Sequence, residues 1–490
     1  MTPHFFSRGR MPEYHDARLL LKMAPQAVRP LAAIRNAVAN PAGAVAAAVG
    51  SKALSAFSRF ERSGLIIRAI PLSRGLGLSP GEIGPGRALA TLAAAMDTPT
   101  APGASAGVTM LELSRDANVE ELRAAMAADP NVEFVCRVPV RYLCVKKAPR
   151  RPRRARVSGA APAAAAPAPA AMWNLPMIRW NEARALPQFA DASGIKVAVL
   201  DTGIDIGHPD LQGKVAKYVY DHPLLANASG PKDLIGHGTH VSGTIAASIN
   251  NRIGINGICS CKIYSWKIFD DEPDYNEADD YYHYYVDPTM YQRALTECVE
   301  QGVHVVNLSI GGTGAPDPNE RSLFEKLLNA GTTVVAAMGN ERGRGSPTSY
   351  PAAIPGVIAV GATRITDSVT SFSNRGSHIS LCAPGETIWS TLPTYGGQTG
   401  YTPRHLPGGT HVTGAPDARD TDYAAWDGTS MASPHVAAAA ALLLAKSPGF
   451  TPGEVRDKLM QTADRVPGMG NEPHHPDYGA GRLNLLSLLS

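Results

Sequence analysis

The sequence predicts an α/β protein: a doubly wound, mostly parallel sheet with helices on both faces, preceded by a small α/β domain. Three observations carry this prediction. Stretches 195–200, 303–308, 333–337 and 357–360 are short, rich in valine and mostly apolar, as strands covered on both faces are. Helical segments alternate with them. In one, Pro288 stands at a first helical position, Gly302 lies just past the end, and Ala294, Leu295, Cys298 and Val299 face inward. Finally, the composition breaks at one place, where the basic run KKAPRRPRRARV passes into SGAAPAAAAPAPAA. Such a segment cannot bury a core and is expected to be an exposed, semi-extended linker.

This break divides the chain into an extension over 1–59 without assignment, a small domain over 60–146, the linker over 147–172 and the main domain over 173–490. In the small domain, GVTMLELS and NVEFVCRVPVRYL alternate as strands do. Between them NVEELRAAMAAD places Val119, Leu122, Ala125 and Met126 on one helical face. Upstream, GLIIRAIPLS reads as a further strand and ALATLAAAM as a further helix.

Composition bounds the function classes. With 490 residues, 44% hydrophobic and 18% charged, the chain has enough apolar material for a large core. A net charge of +3 gives no general reason to expect nucleic acid or an anionic membrane as partner. The basic run could attract phosphates by itself, but no recognition fold accompanies it, so a nucleic-acid partner is not expected. No stretch has the length and apolarity of a membrane span, and the N-terminus lacks a secretory pattern. The alanine-rich PAGAVAAAVG reads as helix or disorder. The compartment stays open between the cytoplasm and export by a non-standard route. Six cysteines are too few for a disulfide scaffold. Buried thiols are expected, with a Cys136–Cys144 bridge across a hairpin as the competing reading.

The chemistry gathers in the main domain. Asp201 ends the apolar strand of VAVLDTGIDIGHPDL, and His237 lies among small residues in GHGTHVSGTIAAS. Ser430 follows Gly428 and Thr429 at the start of GTSMASPHVAAAAALLLAK, a long apolar helix whose positive end would favour a developing oxyanion. Serine is a poor nucleophile without a base to take its proton and a carboxylate to orient that base. His240 and His435 read as packed neighbours and Asp205 as a turn residue.

Together, in the order Asp, His, Ser, these segments resemble the signature blocks of the subtilisin-type serine proteases, the subtilase family. The resemblance implies a serine endopeptidase with Asp201, His237 and Ser430 as catalytic triad, acting on protein or peptide substrates and needing no cofactor for catalysis. TVVAAMGNE resembles the family segment that supplies an oxyanion donor, which maps onto Asn340. LSIGG resembles the cleft wall where an extended peptide adds as a strand, which assigns Ser309, Ile310 and Gly311 to substrate binding. Glu341 and Ser349 match positions near the primary specificity pocket, where Glu341 would favour a basic side chain. Asp210 and the loop INNRIGI resemble a Ca²⁺ site built from Asp210, Asn251 and the carbonyls of Ile249, Ile253 and Ile255, with the loop one residue longer at Ser248.

The small domain resembles a propeptide that occupies the cleft as an intramolecular inhibitor and is cut off in the linker. A catalytically inactive binding protein of the same fold is the competing reading. Two insertions, 269–288 and 396–426, depart from the family pattern and read as surface loops.

Overall fold

The computed structural model describes residues 12–24, 57, 59–72, 88, 91–92, 107–144, 171–220, 230–277 and 280–490. The basic run, the Ala/Pro tract up to residue 170 and PAGAVAAAVG lie outside the described residues.

The first unit is a four-stranded antiparallel sheet of β1 (Tyr14–Met23), β2 (Ile66–Pro71), β3 (Val108–Leu113) and β4 (Val132–Pro139), in the order β2-β3-β1-β4. Helix α1 (Val119–Ala127) covers one face, inserting Leu122 and Met126 among Leu19, Leu21, Ala69 and Leu111. Asn118 starts α1 by accepting the Glu121 N–H at 3.2 Å, and Glu120 and Glu121 complement the positive end of its dipole. Of the segment expected to be a helix over 88–96, Ala88, Thr91 and Leu92 are described, and all three are helical and buried. The boundary expected at residue 60 needs correction. β1 pairs with both β3 and β4, so part of the unassigned extension is an inner strand of this sheet. Its half-buried charged start, YHDARLLL, hides the alternation that a strand reading needs.

The main unit carries seven parallel strands in the order β15-β14-β13-β11-β6-β8-β7. They are β6 (Lys196–Asp201), β7 (Val215–Val219), β8 (Lys262–Lys267), β11 (Val305–Leu308), β13 (Thr333–Ala337), β14 (Ile358–Thr363) and β15 (Leu381–Pro384). Alternation along the strands divides the core between the faces. Val197, Val199, Val305, Val335 and Ile358 pack with α2 (His237–Ala246) and α5 (Thr429–Lys446). Ala198, Leu200, Val306, Val334 and Ala336 pack with α3 (Pro288–Glu300) and α4 (Pro318–Asn329). The strand order turns beside β6, and side chains beyond its carboxyl end therefore stand over a crevice.

α3 and α4 begin alike, each with an Asp cap followed by proline. Asp287 accepts the N–H groups of Thr289 and Met290, and Asp317 those of Asn319 and Glu320. Both helices meet the small unit. Asp287 pairs with Arg18 of β1 at 3.2 Å, and Arg293 donates to the Pro71 carbonyl at 2.6 Å.

The two insertions are not separate loops. The first supplies β9 (Asp274–Asn276) and β10 (Tyr281–His283), and the second supplies β16 (Gln398–His405) and β17 (His411–Ala418). They join into one sheet, β17-β16-β10-β9, through Tyr282 against Tyr401. Tyr281, Tyr284 and Tyr285 are buried beneath it, which accounts for the tyrosine richness of the segment. All six cysteines are free, five of them buried and Cys136 half-buried, so the hairpin bridge does not form. Among the described residues no helix is long and apolar enough to cross a membrane.

Candidate active site

Asp201 is the last residue of β6 and His237 the first of α2, and both are fully buried. Asp201 Oδ1 lies 2.6 Å from His237 Nδ1 and also accepts the Thr202 N–H at 2.7 Å. The glycines of GHGTH permit this approach. A Cβ at Gly238 would stand 2.1 Å from the Gly203 carbonyl oxygen and 3.1 Å from Asp201 Cβ. Asp233 fixes the turn into α2, accepting from Thr202 Oγ1, the Gly236 N–H and both donors of Thr239. It is a buried positioning residue that the motif alone does not reveal.

Ser430 is the second residue of α5. Pro434 has no N–H to offer the Ser430 carbonyl one turn back, and Ser309 Oγ donates to that carbonyl at 3.1 Å. Ser430 Oγ in turn donates to the Ser309 carbonyl at 2.8 Å. The helix start and the cleft wall are thus tied in both directions. His237 Nε2 is buried and has no hydrogen-bond partner among the described residues. The structure therefore brings Asp201 and His237 into contact, while the serine hydroxyl faces Ser309.

A strand from the small unit lies in the cleft. β5 (Tyr142–Leu143) pairs antiparallel with β12 (Ile310–Gly311), with Leu143 opposite Ile310 and Tyr142 opposite Gly311. The Cys144 N–H donates to the Ser309 carbonyl at 3.3 Å, and the Cys144 carbonyl accepts the Ser430 N–H at 3.2 Å. Cys144 fills a confined space. A Cβ on Gly311 would meet Cys144 Sγ at 2.7 Å and Ser349 Oγ at 2.6 Å. Ser309, Ile310, Gly311 and Ser349 are thus brought together around the bound strand.

Asn340 follows β13, and its Oδ1 accepts the N–H and Oγ1 of Thr429 at 3.0 and 2.9 Å. These bonds fix the amide, leaving Nδ2 buried and without a partner among the described residues. Glu341 lies beside the strand. Its Oε2 accepts Asn374 Nδ2 at 2.8 Å, and burial followed by this carboxylate raises both the Tyr142 hydroxyl and the Cys144 thiol well above their ordinary range. The side chain next to Glu341 at the head of the strand is an uncharged thiol.

The remaining polar residues of the motifs are held by neighbours within the fold. His240 stacks on Trp426 with centroids 5.1 Å apart, its Nε2 on the carbonyls of Ile388 and Ala424. His435 lies between Asn174 Nδ2 and the Met431 carbonyl. Asp205 accepts from Gly207 N–H and from Thr394.

The residues expected around Ca²⁺ converge on Asp210, but as donors. Asn251 Nδ2, the Ile255 N–H and Tyr423 OH all donate to its carboxylate, at 2.6, 3.0 and 3.0 Å. Asn251 Oδ1 accepts the Ile253 N–H, and the Asp210 carbonyl accepts the N–H of Ser248, next to Ile249. A cation needs oxygen lone pairs where this carboxylate meets protons, so the arrangement does not fit Ca²⁺.

Comparison with known proteins agrees with this geometry. The profile of the Subtilase family matches residues 192–481. Subtilisin E of Bacillus subtilis (strain 168) is 36% identical over 298 residues, 60% of this chain and 65% of that protein. Thermitase of Thermoactinomyces vulgaris is 34% identical over 296 residues, 60% of this chain and 88% of thermitase. This chain thus spans less than two thirds of Subtilisin E. The crystal structure of fervidolysin from Fervidobacterium pennivorans, described as a keratinolytic enzyme related to subtilisin, superposes with a TM-score of 0.61. It covers 98% of this chain and 62% of fervidolysin, and at 24% identity it bears on the fold alone. With the matched profile running from the residues before β6 to beyond β15 and α5, the chain belongs to the subtilase family.

Proposed function

We propose that this chain is a serine endopeptidase made as a self-processing precursor. In this reading Asp201, His237 and Ser430 form the triad, Asn340 supplies an oxyanion donor, and the part ending at Cys144 is the propeptide and intramolecular inhibitor. The linker follows it, and 173–490 is the catalytic domain. The observation that carries the reading is the hydrogen bond from the Ser430 N–H to the Cys144 carbonyl at 3.2 Å, made by a strand paired along Ser309–Gly311.

The chemistry follows from these groups. Rotation of the Ser430 hydroxyl from the Ser309 carbonyl toward His237 Nε2 lets the imidazole take its proton. Oγ then bonds to the carbonyl carbon of Cys144, and the oxyanion is met by the Ser430 N–H and Asn340 Nδ2. Collapse breaks the Cys144–Val145 bond, and the imidazolium returns its proton to the departing amine of Val145. Water then hydrolyses the acyl-enzyme by the same proton route. Asp201 holds His237 in the tautomer that leaves Nε2 free to act as base. None of these steps calls on a cofactor. Subtilases commonly bind calcium, but the donors around Asp210 supply no site for it in this reading.

Ser430 Oγ donates to Ser309 and not to His237, which favours a second reading, an inactive binding protein. Expression of the full chain beside its Ser430→Ala variant separates the two. Release of a fragment by the wild type alone, with fluorophosphonate labelling of Ser430, supports the endopeptidase. An intact, unlabelled wild-type chain supports the binder.

A further inference from the structure

The strand in the cleft carries one charged side chain that the proposed chemistry does not use. With Cys144 counted as the first residue before the scissile bond, Arg141 is the fourth. Its side chain is 2% exposed, and it enters a socket made by the main unit. Nη2 donates to Glu320 Oε2 at 2.8 Å, Nε to Glu320 Oε1 at 3.3 Å, and Nη1 to the Gly314 carbonyl at 2.8 Å. Glu320, on α4, is itself 1% exposed, and its Oε1 also accepts Tyr291 OH from α3 at 3.0 Å. The backbone of Arg141 is held too, its carbonyl accepting the Val286 N–H at 3.0 Å from the end of the first insertion.

The socket matches a guanidinium in shape as well as in charge. A planar fork bonds both carboxylate oxygens and sends a third N–H to a carbonyl, whereas an ammonium is a point charge that cannot span this set. Apart from the carbonyl of its own neighbour Val140, these hydrogen-bond acceptors of the Arg141 guanidinium belong to the main unit and stay there when the small unit leaves. The neighbouring Asp317 does not compete as a second anion below neutral pH, since burial and then Glu320 push its carboxyl up to about 7.

We propose that Glu320, with Tyr291 and the Gly314 carbonyl, forms a subsite selecting arginine at the fourth residue before the cleaved bond, so that substrates are polypeptides reading Arg-X-X-small. This rests on the endopeptidase reading with cleavage after Cys144. An uncharged side chain at the fourth position leaves the Glu320 carboxylate buried without its cation, and the penalty falls on catalysis because the strand must be seated for attack.

The test uses full-length chain allowed to mature and quenched fluorescent peptides of sequence PVRYLCVKK, with the arginine kept or replaced by lysine, norleucine or glutamate. The expected order of kcat/KM is arginine, lysine, norleucine, glutamate, with arginine over norleucine by on the order of 100-fold. Glu320→Gln keeps an acceptor for Tyr291 and should collapse that ratio toward unity. Because this buried substitution can impair folding, the peptide series on the wild type stands as a test by itself. Equal rates for arginine and norleucine overturn the proposal and make the Arg141–Glu320 pair a bolt between two units only. Failure to cut any peptide, with no serine labelling, overturns the endopeptidase reading and this proposal with it.

Discussion

The amide of Ser430 holds the carbonyl oxygen of Cys144 at 3.2 Å, so the residue proposed as nucleophile also grips the bond proposed to be cut. The new N-terminus should accordingly be Val145, read by N-terminal sequencing or intact mass. Gly311→Ala places a Cβ within 2.7 Å of Cys144 Sγ and should slow processing by about tenfold or more, measured as release of the N-terminal fragment against time. A start within the linker instead, together with unchanged processing in Gly311→Ala, would separate this carbonyl contact from the maturation site.

Asn340 spends its Oδ1 on Thr429 and keeps Nδ2 unspent. Asn340→Ala should lower turnover by about 10²–10³, the range of oxyanion-hole donors in this family, while leaving KM for peptides within a few-fold. Steady-state kinetics with a peptide ester would reveal it. A rise in KM alone would assign Asn340 to ground-state binding.

Two buried histidines of the main unit weaken the fold in acid. Burial and then the adjacent His237 hold His240 down to about 3, and burial holds His435 down to about 4. Both are neutral when folded and bind protons more readily when unfolded, with an ordinary value of 6.5. Their contribution is therefore complete above pH 6.5 and is lost as pH falls toward 3 to 4, by up to about 1.4 kcal/mol per pH unit for each. Urea unfolding of the Ser430→Ala chain, which cannot digest itself, should show this slope. His435→Gln should flatten it by about one proton.

Around Asp210 the expectation concerns metal. Tyr423→Phe removes one of three donors to a buried carboxylate and should cost about 1–3 kcal/mol. The loss should be the same with added Ca²⁺ or with a chelator, by thermal melting. Rescue of the variant by Ca²⁺ alone would show that the loop does accept the ion.

Much of this architecture is legible in the sequence because its signals are local. β6, β11, β13 and β14 are mostly apolar, valine-rich runs, and Pro288 and Gly302 bracket α3 within a residue or two of its ends. Asp201, His237 and Ser430 lie at element ends marked by small residues, where backbones approach closely. What stayed hidden depends on pairing at a distance. Nothing near Arg141 announces Glu320, which is 179 residues away, and both side chains look like ordinary surface charges until the cleft closes over them. β1 escaped notice for a related reason, since its neighbours β3 and β4 lie far along the chain. The Ca²⁺ expectation took the right residues together but not the direction of their hydrogen bonds, which depends on Tyr423, 213 residues from Asp210.

The pairing of Tyr282 with Tyr401 makes the two insertions halves of one object. Trimming either alone strips the other of its neighbour, exposing an unsatisfied strand edge that invites sticking between molecules. Across related sequences the two segments should therefore be inherited or discarded as a pair, and anyone shortening this protein would have to remove both.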